Sequence, residues 1–202
     1  MNRIPIQAHD PPAQRPIALA LAELQKGKIA AYPTDTLYAL GCAIDAKKSA
    51  AALYKLKGME KSQRLALICP DLSTAAMYAH FSQAAFRLAQ RIFPGPFTMV
   101  LPATREVPKI LQDKRRRTVG IRIVDHPVTA ALVQGLGQPL LTTSAIGAEG
   151  EPCVDADDVA EHFGSGIDLL VDSGPTPGEV STVVHIEGTE VEIIRQGLGQ
   201  LE

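Results

Sequence analysis

Apolar residues recur at helical spacing from Arg15 to Lys26 (RPIALALAELQK) and end at Gly27, which predicts a first helix. Ile29 to Tyr32 is a short apolar run closed by Pro33, the pattern of a buried strand running into a loop, here Pro33-Thr34-Asp35-Thr36. Asp45 is placed to cap a helix from Ala46 to about Lys57, with Leu53 and Leu56 inward and Gly58 ending it. A strand from Leu65 to Cys69 comes next. Asp71 or Ser73, and then Ser82, are N-caps for two further helices, the second running from Gln83 to Phe93 until Pro94-Gly95-Pro96 stops it. The remaining pattern predicts strands at Phe97–Leu101, Thr118–Val124, Pro139–Thr143 and Ile167–Val171. It predicts helices around Pro108–Asp113, from Pro127 to Leu136, and from Asp155 to Phe163. The chain closes with a hairpin, Thr182–Ile186 and Val191–Arg195 around Glu187-Gly188-Thr189.

Strands alternating with helices predict an α/β (α+β) protein, and the closing hairpin makes its sheet mixed parallel and antiparallel. With 202 residues and 46% hydrophobic composition, one domain with one core is expected, spanning 15–199, with 1–14 as a polar, proline-rich tail. Ser173 to Ser181 (SGPTPGEVS) reads as a mobile loop, not as a domain boundary. No apolar run approaches membrane-spanning length and the N-terminus lacks a signal-type apolar stretch, so a cytoplasmic protein without a membrane partner is expected. The three cysteines, Cys42, Cys69 and Cys153, are widely spaced and read as buried thiols.

The net charge of -2 hides an asymmetry: 19 Lys or Arg against 9 Asp or Glu in residues 1–148, and 1 against 13 in residues 149–202. Such a split favours a phosphate-bearing partner on the basic side, unless folding interleaves the two halves.

Nucleotide and hydrolase signatures such as G-x-G-x-x-G, G-x-x-x-x-G-K-[ST] and G-x-S-x-G are missing. His9, His80, His126, His162 and His185 have no ligand spacing, so no metal site built by the protein alone is expected. Any metal would be Mg²⁺ carried by a phosphate substrate. What remains is a set of polar groups at strand ends: Thr34, Asp35 and Thr36; Arg122; Thr142, Thr143 and Ser144; Ser181 and Thr182; Arg195. Strand ends are where open α/β sheets bind ligands, and hydroxyls with arginines suit an anion. Plainer readings stand beside each: a local turn for Thr34 and Asp35, a solvent-facing Arg122, a helix-dipole role for Lys57, and a solvated face for Arg115 to Arg117.

The order of these motifs is Pro33-Thr34-Asp35-Thr36-x-Tyr38-x-Leu40-Gly41, Lys57-Gly58, Pro94-Gly95-Pro96-x-Thr98, Gly120-Ile121-Arg122, Thr142-Thr143-Ser144-Ala145, Ser181-Thr182-Val183 and Arg195-x-Gly197. It resembles the YrdC/YciO family of threonylcarbamoyl-adenylate synthase-like proteins, in particular its YciO branch. The resemblance implies a twisted mixed sheet with surrounding helices and a basic concave cleft. It also implies a nucleotidyltransferase that joins L-threonine, bicarbonate and ATP, with Mg²⁺, into threonylcarbamoyl-AMP and pyrophosphate for tRNA modification. Carried across by motif, Thr34, Thr36, Arg122 and Thr143 would hold threonine, and Lys57, Arg64, Ser144, Ser181 and Arg195 the nucleotide. The synthase branch carries Lys-x-Arg and Ser-x-Asn where this chain has Lys57-Gly58-Met59 and Ser144-Ala145-Ile146. The alternative is a non-catalytic module binding double-stranded RNA, tRNA or rRNA through Lys109, Lys114, Arg115, Arg116 and Arg117.

Overall fold

A computed structural model describes residues 1–58, 65–108, 117–187 and 189–201. The described residues form one ten-stranded sheet and six helices. In chain order the elements are β1 (Asn2–Pro5), α1 (Gln14–Gln25), β2 (Ala30–Tyr32), β3 (Ala39–Ala43), α2 (Lys47–Leu56), β4 (Ala66–Ile68), α3 (Leu72–Tyr78) and α4 (Gln83–Ile92). They continue with β5 (Phe97–Pro102), β6 (Thr118–Arg122), α5 (Pro127–Leu136), β7 (Leu140–Ser144), α6 (Ala156–Phe163), β8 (Leu169–Asp172), β9 (Thr182–Glu187) and β10 (Glu190–Arg195). The sheet order is β1-β8-β2-β3-β7-β4-β6-β5-β9-β10. Pairing is parallel at β1–β8, β2–β8, β4–β6 and β5–β9, and antiparallel at the other five junctions. The sheet is therefore mixed, as the sequence pattern requires.

Its two faces are covered unequally, and this creates the cleft. On one face, Leu53 of α2, Ala75 of α3, Ala89 of α4 and Val159 of α6 pack on Leu67, Met99, Ile121, Leu141 and Val184 in a continuous core. On the other face the helices present among the described residues are α1 and α5, which cover the β1 side, where Leu24 and Leu132 meet Ala30, Tyr32 and Leu140. Strand residues alternate between faces, so each strand that runs out from under α5 turns the same face from apolar to open. On β7, Leu140 is core while Thr142 and Ser144 face the cleft; on β4, Ile68 is core and Ala66 faces the cleft.

Two helix starts follow the sequence closely. The Asp71 carboxylate accepts from Thr74 N at 2.6 Å, and the Ser82 hydroxyl from Ala85 N at 3.1 Å. Asp155 goes further and forms a capping box with Asp158. The cap expected from Asp45 is not made. Helix α2 begins one residue later, with Ala46 at the cap position and no side-chain capping bond.

The segment set apart as a tail, 1–14, carries β1, whose Asn2–Pro5 pairs with Leu169–Asp172 and sends Ile4 and Ile6 into the smaller core. The Ser173–Ser181 stretch, expected to be mobile, is tied across the fold. The Tyr38 hydroxyl donates to Gly174 O at 2.9 Å, Thr176 N donates to Val154 O at 2.8 Å, and Gly178 N donates to Thr36 O at 3.0 Å. The expected helix at 108–113 falls almost wholly outside the described residues.

The charge halves interleave at the β1 side. Arg3 bridges Asp157 at 2.6 Å and Asp172 at 2.8 Å, and Lys28 reaches Asp168 at 3.3 Å. Part of the basic excess is thus neutralised by the acidic C-terminal segment, through exposed pairs that add little stability each.

The three thiols are free and buried. Burial pushes Cys42 and Cys69 up to about 12 and Cys153 up to about 11, from an ordinary value of 9.0. The folded state therefore keeps protons that the unfolded chain releases above that value, so stability is lost as pH rises through this window. The slope is about 1.4 kcal/mol per pH unit for each thiol. The melting temperature is expected to fall steadily between roughly pH 9 and pH 11; a flat profile there would contradict the burial of the thiols.

Candidate functional site: a hydroxyl-lined cleft between two arginines

The open part of the sheet holds a cleft of about 270 Å³ lined by Arg122, Thr142, Thr143, Ser144, Ser181 and Arg195. Two of its lining positions, Ala66 and Gly120, are small. A Cβ on Gly120 would stand 3.2 Å from the Ala66 Cβ and 3.3 Å from the Thr98 Cγ2, so β6 has no room for a side chain at that point without filling the hollow.

Arg195 enters the cleft because of a β-bulge. Ile193 pairs with Val184, yet Arg195 pairs with Val183, leaving one extra residue on β10. In a regular strand, Arg195 would share the face of Ile193, away from the cleft; the extra residue reverses it. The side chain then donates from Nη2 to Ser181 O at 2.9 Å and to Ser181 Oγ at 3.2 Å. The Ser181 hydroxyl lies 2.9 Å from that of Thr98. Burial lowers the Arg195 pKa, and the positive charge of Arg122 lowers it further. The two guanidinium groups flank the same hollow, where a ligand can meet donors from both.

Arg122 ends β6 and is 4% exposed. Its Nη2 donates to Asp35 Oδ1 at 2.7 Å and to Thr36 Oγ1 at 3.1 Å, while Asp35 Oδ2 accepts from Asp125 N at 3.0 Å. Burial is the leading influence on both partners, lowering the Arg122 pKa and raising that of Asp35 against the pull of the pair. Ion pairs of this kind are a weak source of stability. The Arg122 Nε is buried with no hydrogen-bond partner, and so is the Thr142 Oγ1 beside the cleft.

The hydroxyls of the 34–36 loop have a fixed order. Thr34 Oγ1 donates its one proton to Leu37 O at 2.6 Å and accepts from Thr36 N at 3.1 Å. Across the 2.8 Å contact with Thr36 Oγ1, Thr36 must then be the donor, which leaves the Thr36 oxygen free to accept from Arg122. Both threonines are buried behind Arg122 and do not line the cleft. The Thr129 hydroxyl of α5 anchors the loop by donating to Pro33 O.

Lys57, the C-terminal cap of α2, also stands outside the lining. Its ammonium donates to Ile146 O, two residues beyond Ser144, and lies 5.1 Å from the centre of the Phe163 ring. Burial lowers its pKa. Arg64, Lys109, Lys114, Arg115 and Arg116 lie outside the described residues. Arg117 is described, with φ 49°, just before the cleft-lining Thr118.

Of the expected set, the structure thus brings Arg122, Thr143, Ser144, Ser181 and Arg195 into one hollow, with Thr34 and Thr36 as its second layer. Asp35 and Thr98 stand in the expected polar set and motif order without an assigned role, and the bulge is not expected from the sequence. A carboxylate one residue from two site threonines was a usable signal for Asp35; nothing local marks the bulge.

A larger hollow of about 810 Å³ shares Thr118 with the cleft and is lined by His80, Ser82, His185 and Glu192. It holds no buried charge, so convergent chemistry favours the smaller cleft. Among the described residues no group of three or more His, Cys, Asp or Glu is placed to hold a metal ion, and no helix is long and apolar enough to cross a membrane.

An open mixed sheet with a bare, arginine-flanked end defines the class, and comparison with known proteins supplies the family. The chain belongs to the Sua5/YciO/YrdC family, whose model, described as Telomere recombination, matches residues 22–197. It is 32% identical over 195 residues to YciO of Escherichia coli strain K12, covering 96% of this chain and 94% of that protein. The crystal structure of E. coli YciO superposes with a TM-score of 0.90 at 30% identity, covering 98% and 96% of the two chains. A threonylcarbamoyl-AMP synthase of Halorhodospira halophila is 37% identical over 164 residues, covering 80% of this chain and 85% of its own. P. abyssi Sua5 complexed with L-threonine gives a TM-score of 0.90 at 26% identity, over 98% of this chain and 58% of that one.

Proposed function

We propose that the cleft binds L-threonine at Arg122 and ATP at Arg195, and joins them with bicarbonate into threonylcarbamoyl-AMP, releasing pyrophosphate. The observation that carries this reading is the convergence of two arginines on one hydroxyl-lined hollow. Relatives named threonylcarbamoyl-AMP synthase and a solved Sua5 with L-threonine support it. In this scheme the unpaired edge of Arg122 takes the amino-acid carboxylate, with Thr143 beside it. Arg195, Ser181 and Ser144 take the phosphates, and Lys57, outside the lining with its ammonium held by Ile146 O, adds positive charge near the β7 end. Mg²⁺ enters with the triphosphate as part of the substrate, since the charged cleft-lining groups among the described residues are cations. The chain contributes position and positive charge: the threonine amine and bicarbonate join with loss of water to N-carboxythreonine, whose new carboxylate oxygen is held against the α-phosphorus and bonds to it as pyrophosphate leaves, its charge offset by the cations of the cleft.

Purified protein with L-threonine, bicarbonate, ATP and Mg²⁺ should release pyrophosphate, and Arg195→Ala should reduce that release by about 10²-fold through loss of phosphate contacts. Release that is independent of threonine, or equal in the variant, would overturn the assignment.

A further inference from the structure

Arg122 offers a ligand less charge than its position suggests. Its side chain is 5% exposed and its partner Asp35 7%, so the cleft-lining cation is backed by a buried anion and the pair carries no net charge. Both carboxylate oxygens of Asp35 are committed, one to Arg122 and the other to Asp125 N, so the pair is fixed from two sides. Thr36 adds a second bond to the same Nη2. The guanidinium is thus pinned by one nitrogen, and Nε and Nη1 remain without partners among the described residues. Asp35 itself does not line the cleft, so it acts on a ligand only through Arg122.

A ligand that brings a bare carboxylate to this pair adds an uncompensated negative charge to a desolvated place. One that brings a carboxylate and an ammonium together adds none. We propose that Asp35 is a positioning residue that restricts the Arg122 end of the cleft to zwitterionic α-amino acids and turns away carboxylates lacking an ammonium group. The inference rests on the reading of this end of the cleft as an amino-acid site. It explains why an ion pair weakened by burial sits at one end of a binding hollow: the anion sets the charge that the ligand must match.

The test compares L-threonine with 3-hydroxybutyrate, the same skeleton without the amino group, by calorimetric titration of the full chain. Wild type binds threonine more tightly. In Asp35→Asn the ratio of the two affinities falls by about tenfold or more, because the Arg122 end now carries an uncompensated positive charge. Asp35→Glu keeps the wild-type ratio. Thr36→Val, which removes an anchor but no charge, weakens both ligands alike. A loss of folding or rigidity alone would lower both affinities and leave their ratio unchanged, so an unchanged ratio in Asp35→Asn overturns the proposal. If that variant is too unstable to titrate, wild type decides: threonine bound no more tightly than 3-hydroxybutyrate overturns it. Wild type that binds neither ligand overturns the amino-acid assignment itself.

Discussion

Arg122→Ala is expected to abolish amino-acid binding and to lower the melting temperature by roughly 10 °C at neutral pH. The second effect comes from what the substitution leaves behind. Asp35 is buried, and with Arg122 gone the donor that remains to it among the described residues is the amide of Asp125. Breaking a buried pair by removing one member costs about 3 to 5 kcal/mol, because the survivor is an uncompensated charge. Burial already raises the Asp35 pKa with Arg122 present, and losing the cation raises it further. A carboxyl whose folded pKa exceeds its unfolded value binds its proton more tightly when folded. The penalty is therefore absent below the unfolded pKa and grows as pH rises through the folded one. Melting curves of wild type and variant should nearly coincide at about pH 4 and separate as pH rises to about 7. Adding Asp35→Asn to Arg122→Ala should recover much of the stability but none of the binding. A melting deficit that does not depend on pH would show that the pair is not the cause.

How far the sequence foretold this structure varies with the kind of signal. Helices α1, α4, α5 and α6 and the β9–β10 hairpin were legible because their apolar periodicity and caps are local properties. Strand β3, Ala39–Ala43, was not anticipated, since a buried central strand of Ala, Leu, Gly and Cys has neither alternation nor β-branched residues to mark it. Strand β1 reads as tail in the sequence because only Ile4 of its four residues is buried, and its pairing partner lies more than 160 residues away. The site divides in the same way. Hydroxyls and arginines at strand ends could be listed from the sequence, yet their convergence depends on strand pairing that brings β7, β4, β6, β5 and β9 side by side. The entry of Arg195 depends on a one-residue bulge, and the neutrality of the Arg122 end on Asp35, which a turn explains equally well until Arg122 is seen beside it.

Gly41→Ala is expected to cost about 3 kcal/mol or more and to damage the cleft although it does not line it. A Cβ at this position would fall 2.1 Å from Leu141 O and 2.4 Å from the Tyr32 hydroxyl. The phenol could turn away, but the carbonyl belongs to the backbone of β7, the neighbouring strand, and can retreat only by opening the β3–β7 pairing. Gly41 is the cross-strand partner of Thr142, and Thr142 in turn pairs with Ala66, so displacement of β7 moves cleft-facing residues on two strands. The Tyr32 hydroxyl separates the two sources of strain. It is buried with no close hydrogen bond, and the nearby Thr142 hydroxyl is its one weak partner among the described residues, so Tyr32→Phe alone should change stability by no more than about 1 kcal/mol. Combined with Gly41→Ala, it should recover only a minor part of the loss, because the carbonyl contact persists. Denaturant unfolding of the two single variants and the double checks this directly: full recovery in the double would place the strain at the phenol, whereas a residual loss of at least about 2 kcal/mol locates it in the sheet backbone beneath the cleft.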